Sequence, residues 1–440
     1  MDASDAVVIR PASALVGQIS VPGDKSISHR AVLLAALARG TSRVRGFLYG
    51  GDCEATVRAV QALGIEVERP QVDHLILHSP GAGAWHEPAD VIDCVNSGTT
   101  MRLLTGLLAG QPFFSVLTGS AQLRRRPMAR VVEPLRQMGA TILGRENGRY
   151  APLAIDGGNL HSIEYALPIA SAQVKSALIF AGLFAAGETI IHEPGPARDH
   201  TERMLRNLGI PLQVNGPTLR VRPLETPPPP LDITVPGDFS SAAFFIVAAL
   251  LVPNSEIVIQ NVGINPTRTG LLDVLRDMGA QITLERKRDV GGEPVADVMV
   301  RASDLRGATV AGDRVVRMID EFPVFAVAAT QAAGTTVVRD ARELRVKETD
   351  RIAAVVEELR KMGAAIEERE DGFVVQGPTP LHGARVDSHG DHRLGMALAI
   401  AGLIARGETI LHHAHCVVDS YPTFWDTLHT LVHTSPGRRA

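Results

Sequence analysis

The sequence predicts an α/β protein of two domains, each built from three copies of one structural unit. Two observations lead to this prediction. An apolar helix, a short break and a β-branched strand recur six times along the 440 residues, and the segment Val-Pro-Gly-Asp occurs twice, at 21–24 and 235–238. An order of elements that repeats along a chain is typical of repeat architectures, in which each unit packs against its neighbours.

The six apolar helices end at residues that interrupt helices. The first copy reads AVLLAALARGTSRVRG from Ala31. The six breaks lie at Gly40, Gly110, Gly187, Pro253, Gly334 and Gly407. Because a helix that is apolar on all sides must be buried, we expect these helices to form the cores of the domains.

A second, amphipathic helix lies between successive copies and ends in a Leu-Gly or Met-Gly step before a strand. Five copies are clear, TVRAVQALGIEV and VVEELRKMGAAI among them, and FWDTLHTLVH suggests the sixth. The repeated unit is therefore strand, buried helix, strand, amphipathic helix and one or two further strands.

The two Val-Pro-Gly-Asp segments mark where the chain passes between the domains. The second segment follows shortly after four consecutive prolines, which form a stiff extended tract. We assign 22–235 to one domain and 1–21 with 236–440 to the other, with hinges near 20–24 and 235–239. We expect the halves to close over a ligand through these hinges.

Composition and charge limit the function classes. Lys and Arg number 44 against 48 Asp and Glu, a net charge of −4, which argues against nucleic acid or a membrane surface as partner. Cys53, Cys94 and Cys416 have no metal-type spacing and favour a reduced setting. No secretion signal precedes the domains and no apolar run reaches 18 residues, so we expect a cytoplasmic protein.

Each buried helix begins with polar residues. The first copy holds Lys25, Ser26, His29 and Arg30 at its start, with Asp24 or Ser26 as the N-cap. A helix N-terminus carries unpaired N–H groups and about half a positive charge, so added cations are unfavourable there unless an anion binds. A solvated surface turn is the alternative.

The other five starts are also polar. The second start holds NSGTTMR at 96–102, and the third holds Ser171, Gln173 and Lys175. The fourth holds Asp238, Ser240 and Ser241, the fifth holds Asp320 and Glu321, and the sixth holds Asp391, His392 and Arg393. Repeat symmetry predicts three starts at one end of each domain, and facing ends would form an anion-binding cleft between the domains. Ordinary capping is the alternative for each single start and is preferred for the fourth.

Two basic segments could line the same cleft. RRRPM precedes an amphipathic helix, and RVKETDR begins another. Lys347 and Arg351 would be like charges one turn apart on that helix, which is unfavourable unless an anion lies between them. A surface ion pair of Glu348 with Arg351 is the alternative. Arg198 starts the third amphipathic helix and could join the cleft.

Two histidine-rich segments allow a metal site as an alternative. They are HGDH at 389–392 and HHAHC at 412–416. In the second, His413 and His415 would share one face of a strand without a carboxylate nearby in sequence. We expect no metal. The Walker, dinucleotide-binding glycine and serine-hydrolase motifs do not occur in the sequence.

Six segments together resemble the signature segments of the 5-enolpyruvylshikimate-3-phosphate synthase family. They are PGDKSISHRA, NSGTTMR, LRRRPM, SAQVKSAL, RVKETDRI and GDHRLGMA, in that order over nearly the whole chain. The resemblance implies a two-domain enolpyruvyl transferase-like fold, an inside-out α/β barrel with three βαβαββ-type units in each domain. It implies a monomer without a cofactor or metal.

The resemblance also implies the reaction. The enolpyruvyl group of phosphoenolpyruvate would pass to the 5-hydroxyl of shikimate 3-phosphate by addition and elimination, with release of phosphate, in the shikimate pathway to chorismate and the aromatic amino acids. Two substrates of charge about −3 that lie about 5 Å apart repel by about 7 kcal/mol even at the dielectric constant of water. A densely cationic site is therefore required.

Site residues follow from the same resemblance. Shikimate 3-phosphate would be bound by Lys25, Ser26, Arg30, Ser171, Ala172, Gln173, Arg198, Asp320 and Lys347. Phosphoenolpyruvate would be bound by Lys25, Gly98, Arg126, Gln173, Arg351 and Arg393. Asp320 would take the proton of the attacking hydroxyl, and Glu348 with Lys25 would handle protonation of the enol methylene and its reversal.

The sequence departs from some family members and resembles the second, more divergent bacterial class. Leu103 and Ala172 stand where some members have Pro and Ser, and no Lys occurs in 419–423, where some have one that helps bind phosphoenolpyruvate. The phosphoenolpyruvate pocket is therefore less closely defined than the shikimate pocket. The same holds for the response to glyphosate, the family's inhibitor, for which Gly98 leaves room.

Two alternatives stay open. One is UDP-N-acetylglucosamine enolpyruvyl transferase, a related family with a reactive Cys in the loop that corresponds to 117–126, where this sequence has none. The other is a non-catalytic copy of the fold, which would be expected to lose Asp320, Glu348 or Lys25. All three are present.

Overall fold

A computed structural model describes residues 5–210 and 212–433, which group into two compact units. The N-terminal unit comprises residues 23–235 and 289–293, and the C-terminal unit comprises 5–22, 236–288 and 294–433. Within the described ranges no helix combines the length and the apolar character that crossing a bilayer requires.

The first two strands, β1 (Val7–Ile9) and β2 (Val16–Ser20), belong to the C-terminal unit. The chain then forms the N-terminal unit. Its strands are β3 (Arg39–Arg45), β4 (Glu66–Gln71), β5 (His74–Pro80), β6 (Ile92–Asp93), β7 (Phe114–Thr118), β8 (Thr141–Gly144), β9 (Tyr150–Asp156), β10 (Glu164–Ala166), β11 (Thr189–His192), β12 (Leu212–Asn215), β13 (Thr218–Val221) and β14 (Asp232–Thr234). Its helices are α1 (Lys25–Leu37), α2 (Gly51–Ala62), α3 (Gly98–Ala109), α4 (Ala129–Gln137), the single turn α5 (Arg145–Gly148), α6 (Ala172–Gly182) and α7 (His200–Asn207).

The rest of the chain completes the C-terminal unit. Its helices are α8 (Phe239–Leu251), α9 (Gly270–Asp277), α10 (Asp313–Arg317), α11 (Phe322–Gln331), α12 (Arg351–Lys361), α13 (His392–Ile404) and α14 (Phe424–His433). Its strands are β15 (Glu256–Gly263), β16 (Gln281–Val290), β17 (Glu293–Arg301), β18 (Thr309–Val310), β19 (Gly334–Val338), β20 (Ile366–Arg369), β21 (Gly372–Gly377), β22 (Arg385–Asp387) and β23 (Thr409–His412). Short 3₁₀ helices span Leu123–Arg125, Arg342–Val346 and Ala414–Asp419.

Each unit contains three small sheets that follow one plan. In the second repeat the order is β6-β7-β9-β8, with β6 parallel to β7 and the other neighbours antiparallel. The other two sheets of the N-terminal unit have the orders β14-β3-β5-β4 and β10-β11-β13-β12. The sheets of the C-terminal unit have the orders β16-β17-β15-β2, β18-β19-β21-β20 and, in the sixth repeat, β1-β23-β22. The predicted α/β fold with six repeated units is confirmed.

The apolar helices lie where their composition predicts. Helices α1, α3 and α6 pack into the core of the N-terminal unit, and α8, α11 and α13 into that of the C-terminal unit. The end of the first apolar helix, which was predicted at Gly40, lies earlier in the chain. Helix α1 ends at Leu37, and Gly40 lies inside β3 with φ of +118°.

Helices α3 and α6 approach each other closely at a glycine. A Cβ atom added at Gly106 would lie 2.2 Å from the backbone oxygen of Ala177 and 2.8 Å from its Cα atom. Because both atoms belong to the backbone of a buried helix, a side-chain rotation cannot relieve the overlap. Gly106 therefore sets the distance between these two helices.

We predict that Gly106→Ala lowers the free energy of unfolding by about 2 to 3 kcal/mol, the usual cost of overpacking a core. Urea unfolding measures this change. Gly182→Ala is the matched control, since the nearest atoms there are side-chain atoms of Val221 and Thr189 at 3.2 to 3.3 Å. Equal losses in the two variants would contradict the prediction.

Candidate functional site

The first turn of α1 brings a lysine and an aspartate together. Asp24 is the N-cap, and its Oδ1 accepts a hydrogen bond of 2.9 Å from the backbone N–H of Ile27. Lys25 Nζ forms an ion pair with Asp52 Oδ2 on α2, and both side chains are mostly buried. Only anionic ligands were predicted for Lys25, and its partner Asp52 was not among the predicted site residues. The two residues lie on different helices of one repeat, and no local pattern links them.

Arg30 is buried and held by three neighbours. Its Nη1 donates to the backbone oxygen of Ser26 at 2.9 Å, its Nε to Thr201 Oγ1 at 2.7 Å and its Nη2 to Ser176 Oγ at 2.9 Å. Burial lowers the pKa of Arg30 to about 10, and the nearby charge of Arg198 also lowers it. The guanidinium therefore stays charged at neutral pH.

Two guanidinium groups lie over the start of α3. A Cβ atom at Gly98 would lie 2.9 Å from Arg102 Nη1 and 3.1 Å from Arg126 Nη1. Arg102 Nη1 also donates to Gln173 Oε1 at 2.7 Å, and Gln173 Nε2 donates to Thr99 Oγ1 at 2.9 Å. Backbone N–H groups of a helix start and two arginines form a site suited to an anion. Arg102 was not among the predicted site residues, although it belongs to the NSGTTMR segment.

Ser171 and Ala172 lie at the start of α6 and are half-buried. Ser171 Oγ accepts from the backbone N–H of Val174 at 3.5 Å, which is a weak capping contact. The backbone oxygen of Ala172 accepts from Ser176 Oγ at 2.6 Å. Through Ser176, the start of α6 is linked to Arg30 on α1.

His29 connects the first three helices of the unit. Its Nδ1 lies 2.6 Å from Thr56 Oγ1, which lies 2.7 Å from Thr100 Oγ1, and Thr100 donates to Ser97 Oγ at 2.7 Å. Ser97 is in turn the N-cap of α3, immediately before Gly98. Burial lowers the pKa of His29 to about 3, so the imidazole is neutral at physiological pH.

In the C-terminal unit, Arg351 is bound by three carboxylates. It is 2% exposed, and it donates from Nε to Asp391 Oδ2 at 2.7 Å, from Nη2 to Glu348 Oε2 at 2.8 Å and from Nη1 to Asp320 Oδ1 at 3.4 Å. Burial alone would lower the pKa of Arg351, but the carboxylates, Asp391 first, outweigh it and raise the pKa. Conversely, Arg351 lowers the pKa of Asp391 against the opposing effect of burial. The pair of Glu348 with Arg351 is therefore not a surface ion pair.

Lys347 and Arg393 complete this cluster. Helix α12 begins at Arg351 with Asp350 as its N-cap, so Lys347 precedes the helix. The expectation that Lys347 and Arg351 lie one turn apart on a helix is therefore wrong. Burial lowers the pKa of Lys347, and the charge of Asp320 opposes this effect. Arg393 Nη2 lies 3.8 Å from Asp320 Oδ2.

The fourth helix start serves capping, as preferred from the sequence. Asp238 Oδ1 accepts from the backbone N–H of Ser240 at 2.8 Å and from Arg268 Nη2 at 2.9 Å. Arg268 Nη2 also donates to Ser240 Oγ at 2.8 Å, and Ser240 Oγ donates to Glu321 Oε1. All four side chains are buried.

The second of the two histidine-rich segments differs from the expectation. Strand β23 ends at His412, and His413 has φ of +53°, so the predicted shared strand face of His413 and His415 is wrong. His413 Nδ1 contacts Asp387 Oδ1 at 2.8 Å. Among the described residues, ligand atoms of Glu357, Glu358 and His389 lie within 4.8 Å of one another. Both carboxylates already pair with Lys361, at 3.0 and 2.7 Å, which favours an ion-pair cluster over a metal site.

The structure thus groups the predicted site residues within each unit. One group holds Lys25, Ser26, Arg30, Gly98, Arg126, Ser171, Ala172, Gln173 and Arg198, and the other holds Asp320, Lys347, Glu348, Arg351 and Arg393. Four polar partners were missed or had no assigned role, namely Asp52, Arg102, Ser176 and Thr201. Arg102 and Ser176 lie within NSGTTMR and SAQVKSAL and could have been found there, whereas no pattern marked Asp52 or Thr201.

A family model described as EPSP synthase (3-phosphoshikimate 1-carboxyvinyltransferase) matches residues 9–428. Among curated proteins, the chain is 52% identical over 429 residues to a 3-phosphoshikimate 1-carboxyvinyltransferase of Desulforamulus reducens, covering 97% of this chain and 99% of that protein. It is 54% identical over 426 residues to one of Desulforudis audaxviator, covering 96% and 98%. A solved EPSP synthase structure from Acinetobacter baumannii matches with a TM-score of 0.88 and 42% identity over 97% of this chain and 98% of that one.

We predict that His29 makes the stability of the protein depend on pH. Its folded pKa of about 3 lies below the ordinary value of 6.5, so between these values only the unfolded chain takes up the proton. The contribution of His29 is complete above pH 6.5 and is lost as the pH falls. Between pH 6 and pH 4, the wild type should lose about 2 kcal/mol more of its free energy of unfolding than His29→Asn does.

Urea unfolding of both proteins at several pH values measures this difference. His161→Asn, which removes an exposed histidine, should follow the wild type. Parallel curves for the wild type and His29→Asn would show that the buried imidazole is not what titrates.

Proposed function

Because the chain belongs to the EPSP synthase family of transferases, as its motifs indicated, we propose that it transfers the enolpyruvyl group of phosphoenolpyruvate to the 5-hydroxyl of shikimate 3-phosphate and releases phosphate. The observation that carries the proposal is the contact of Arg351 with both Asp320 and Glu348. These are the two carboxylates that the reaction needs as proton carriers, and they lie together beside Arg393 and Lys347.

The proposed reaction assigns a role to each carboxylate. Asp320 accepts the proton of the 5-hydroxyl while the hydroxyl oxygen forms a bond to C2 of phosphoenolpyruvate. Glu348, with Lys25, delivers a proton to the methylene carbon, which becomes a methyl group. In the second step the bond between C2 and the phosphate oxygen breaks, and a methyl proton returns to Glu348. The proton that Asp320 accepted leaves with the phosphate. Atoms and charges balance over the two steps.

The N-terminal unit supports the proposal through its positive charge. Arg102 and Arg126 lie over the start of α3, and Gln173 joins this cluster through its hydrogen bond to Arg102. We propose that the phosphate and carboxylate of phosphoenolpyruvate bind at Gly98, Arg126 and Gln173. Arginine forks and helix N–H groups suit both anions.

Arg30 and Arg198 support the proposed binding of shikimate 3-phosphate. Arg30 retains its charge while buried, and Arg198 is close enough to affect its pKa. The backbone oxygen of Ser26 accepts from Arg30, and Ser171 is the N-cap of α6, whose Ser176 also accepts from Arg30. Since every group named in this reaction belongs to one chain, we propose that the protein acts as a monomer, without a cofactor.

We predict that Asp320→Asn lowers the rate of phosphate release by at least about 100-fold, since it removes a general base. Release from phosphoenolpyruvate is measured with and without shikimate 3-phosphate. Wild-type release should require both substrates. Asp313→Asn, an exposed aspartate of the same unit, should keep wild-type activity.

Two results would overturn the proposal. Wild-type protein that releases no phosphate with both substrates would refute the reaction. Release that occurs only with UDP-N-acetylglucosamine would instead assign the chain to the related chemistry. A fully active Asp320→Asn variant would leave the reaction standing but refute the assigned base.

We predict that Gly98→Ala raises the KM for phosphoenolpyruvate by about 10-fold or more. The new methyl group would displace Arg102 and Arg126, and losing one charge-assisted hydrogen bond costs about 1.5 to 3 kcal/mol. Steady-state kinetics should show a smaller change in the KM for shikimate 3-phosphate. Gly182→Ala serves as the control, and unchanged KM values in Gly98→Ala would reject this placement of phosphoenolpyruvate.

A further inference from the structure

We propose that Ser176 and Thr201 are positioning residues that orient the guanidinium of Arg30 toward bound shikimate 3-phosphate. This inference rests on the proposed function and extends it to two residues that the family motifs do not mark as ligands. Neither hydroxyl is exposed, because both residues are at most 1% accessible to solvent. Their role is therefore exerted through Arg30.

The two hydroxyls occupy one edge of the guanidinium. Thr201 Oγ1 accepts from Arg30 Nε at 2.7 Å, Ser176 Oγ accepts from Nη2 at 2.9 Å, and the two oxygens lie 2.7 Å apart. This is the geometry in which a planar fork meets a pair of acceptors. It fixes the plane of the guanidinium as well as its position.

The direction of each hydrogen bond follows from the neighbours. Ser176 has one hydroxyl proton and donates it to the backbone oxygen of Ala172 at 2.6 Å. Thr201 must then donate its proton to Ser176. Both oxygens consequently present lone pairs to Arg30, and the chain of hydrogen bonds ends at the first residue of α6.

Charged pairs keep the two hydroxyls together. The residue before Ser176 is Lys175, and the residue after Thr201 is Glu202, and these two side chains form a buried ion pair of 2.6 Å between α6 and α7. Lys175 also pairs with Glu193 at 2.8 Å. Burial alone would lower the pKa of Lys175, but both glutamates outweigh it and raise the pKa.

The start of α7 is fixed from a second side. His200, the residue before Thr201, pairs through Nδ1 with Glu293 Oε1 at 2.7 Å, and both side chains are buried. Glu293 is part of the tip of the β16–β17 hairpin, residues 289–293, which groups with the N-terminal unit. Three consecutive residues of α7 thus have three different buried partners, so Thr201 has little freedom to move.

The remaining N–H groups of Arg30 are oriented by this arrangement. Among the described residues it makes three hydrogen bonds, and a guanidinium has five N–H groups. Two N–H groups therefore remain for a ligand. Since the Nε edge is filled by hydroxyls, an anionic group of shikimate 3-phosphate would be bound by the opposite, terminal part of the guanidinium.

The test compares Thr201→Val, which keeps the shape of the side chain, with Thr201→Ser, which keeps the hydroxyl. We expect Thr201→Val to raise the KM for shikimate 3-phosphate at least about 10-fold while the KM for phosphoenolpyruvate changes less than about twofold. Thr201→Ser should stay within about twofold of the wild type for both. A purely structural role would not separate the two substrates.

Two further variants complete the design. Ser176→Ala removes the other acceptor, should act in the same direction and keeps the inference testable if Thr201→Val does not fold. Thr105→Val is the matched control, because Thr105 is a buried threonine of α3 whose hydroxyl donates to the backbone oxygen of Met101 at 2.7 Å. Its KM values should equal those of the wild type.

The wild type is assayed first, so that the two proposals can fail separately. If it releases no phosphate with both substrates present, the proposed function fails. If it is active and Thr201→Val and Ser176→Ala leave the KM for shikimate 3-phosphate unchanged, or raise both KM values equally, only the positioning role is overturned.

Discussion

The structure depends on burying arginine side chains at the starts of apolar helices and nearby segments. Arg30, Arg102, Arg268, Arg351 and Arg393 are each at most 8% exposed. A guanidinium remains charged in proteins and carries five N–H groups, so an unpaired one in a core would be strongly destabilising. The acceptors come from other helices and other repeats of the same unit. Because each buried arginine needs these acceptors, the hydrogen bonds fix how the polar ends of the apolar helices pack. Contacts between apolar surfaces alone would not fix this packing.

The two units meet this requirement with different chemistry. In the N-terminal unit, hydroxyl, amide and backbone oxygens accept from Arg30 and Arg102, and neutral acceptors leave the positive charge in place. In the C-terminal unit, three carboxylates accept from Arg351. The first arrangement suits the binding of anions. The second holds carboxylates next to cations, which suits the transfer of protons. Under the proposed function, both carboxylates that carry protons therefore belong to the C-terminal unit, where Arg351 contacts them.

Local patterns were predictable from the sequence, and long-range partners were not. The repeated helices follow from apolar periodicity, and the cap at Asp24 follows from residue type next to a helix. The partner of Arg30 at Thr201 is 171 positions away, and the partner of Arg351 at Asp391 is 40 positions away, so no spacing rule connects them. The end of a strand was also not predictable from the sequence pattern. The residue His413 adopts a left-handed conformation that ends the strand where the sequence pattern would extend it.

The fourth repeat shows why six similar helix starts need not share one function. At the start of α8, Asp238 caps the helix and Arg268 donates to both Asp238 and Ser240, while Glu321 accepts from Ser240. This group contains two acids and one arginine that bind one another, all of them buried. The corresponding start of α1 differs, because Lys25 pairs with Asp52 while the neutral oxygens of Ser26, Ser176 and Thr201 accept from Arg30. An arginine that pairs with an acid supports the core, whereas an arginine held by neutral oxygens keeps its charge available to an anion. A few substitutions at one helix start separate the two outcomes.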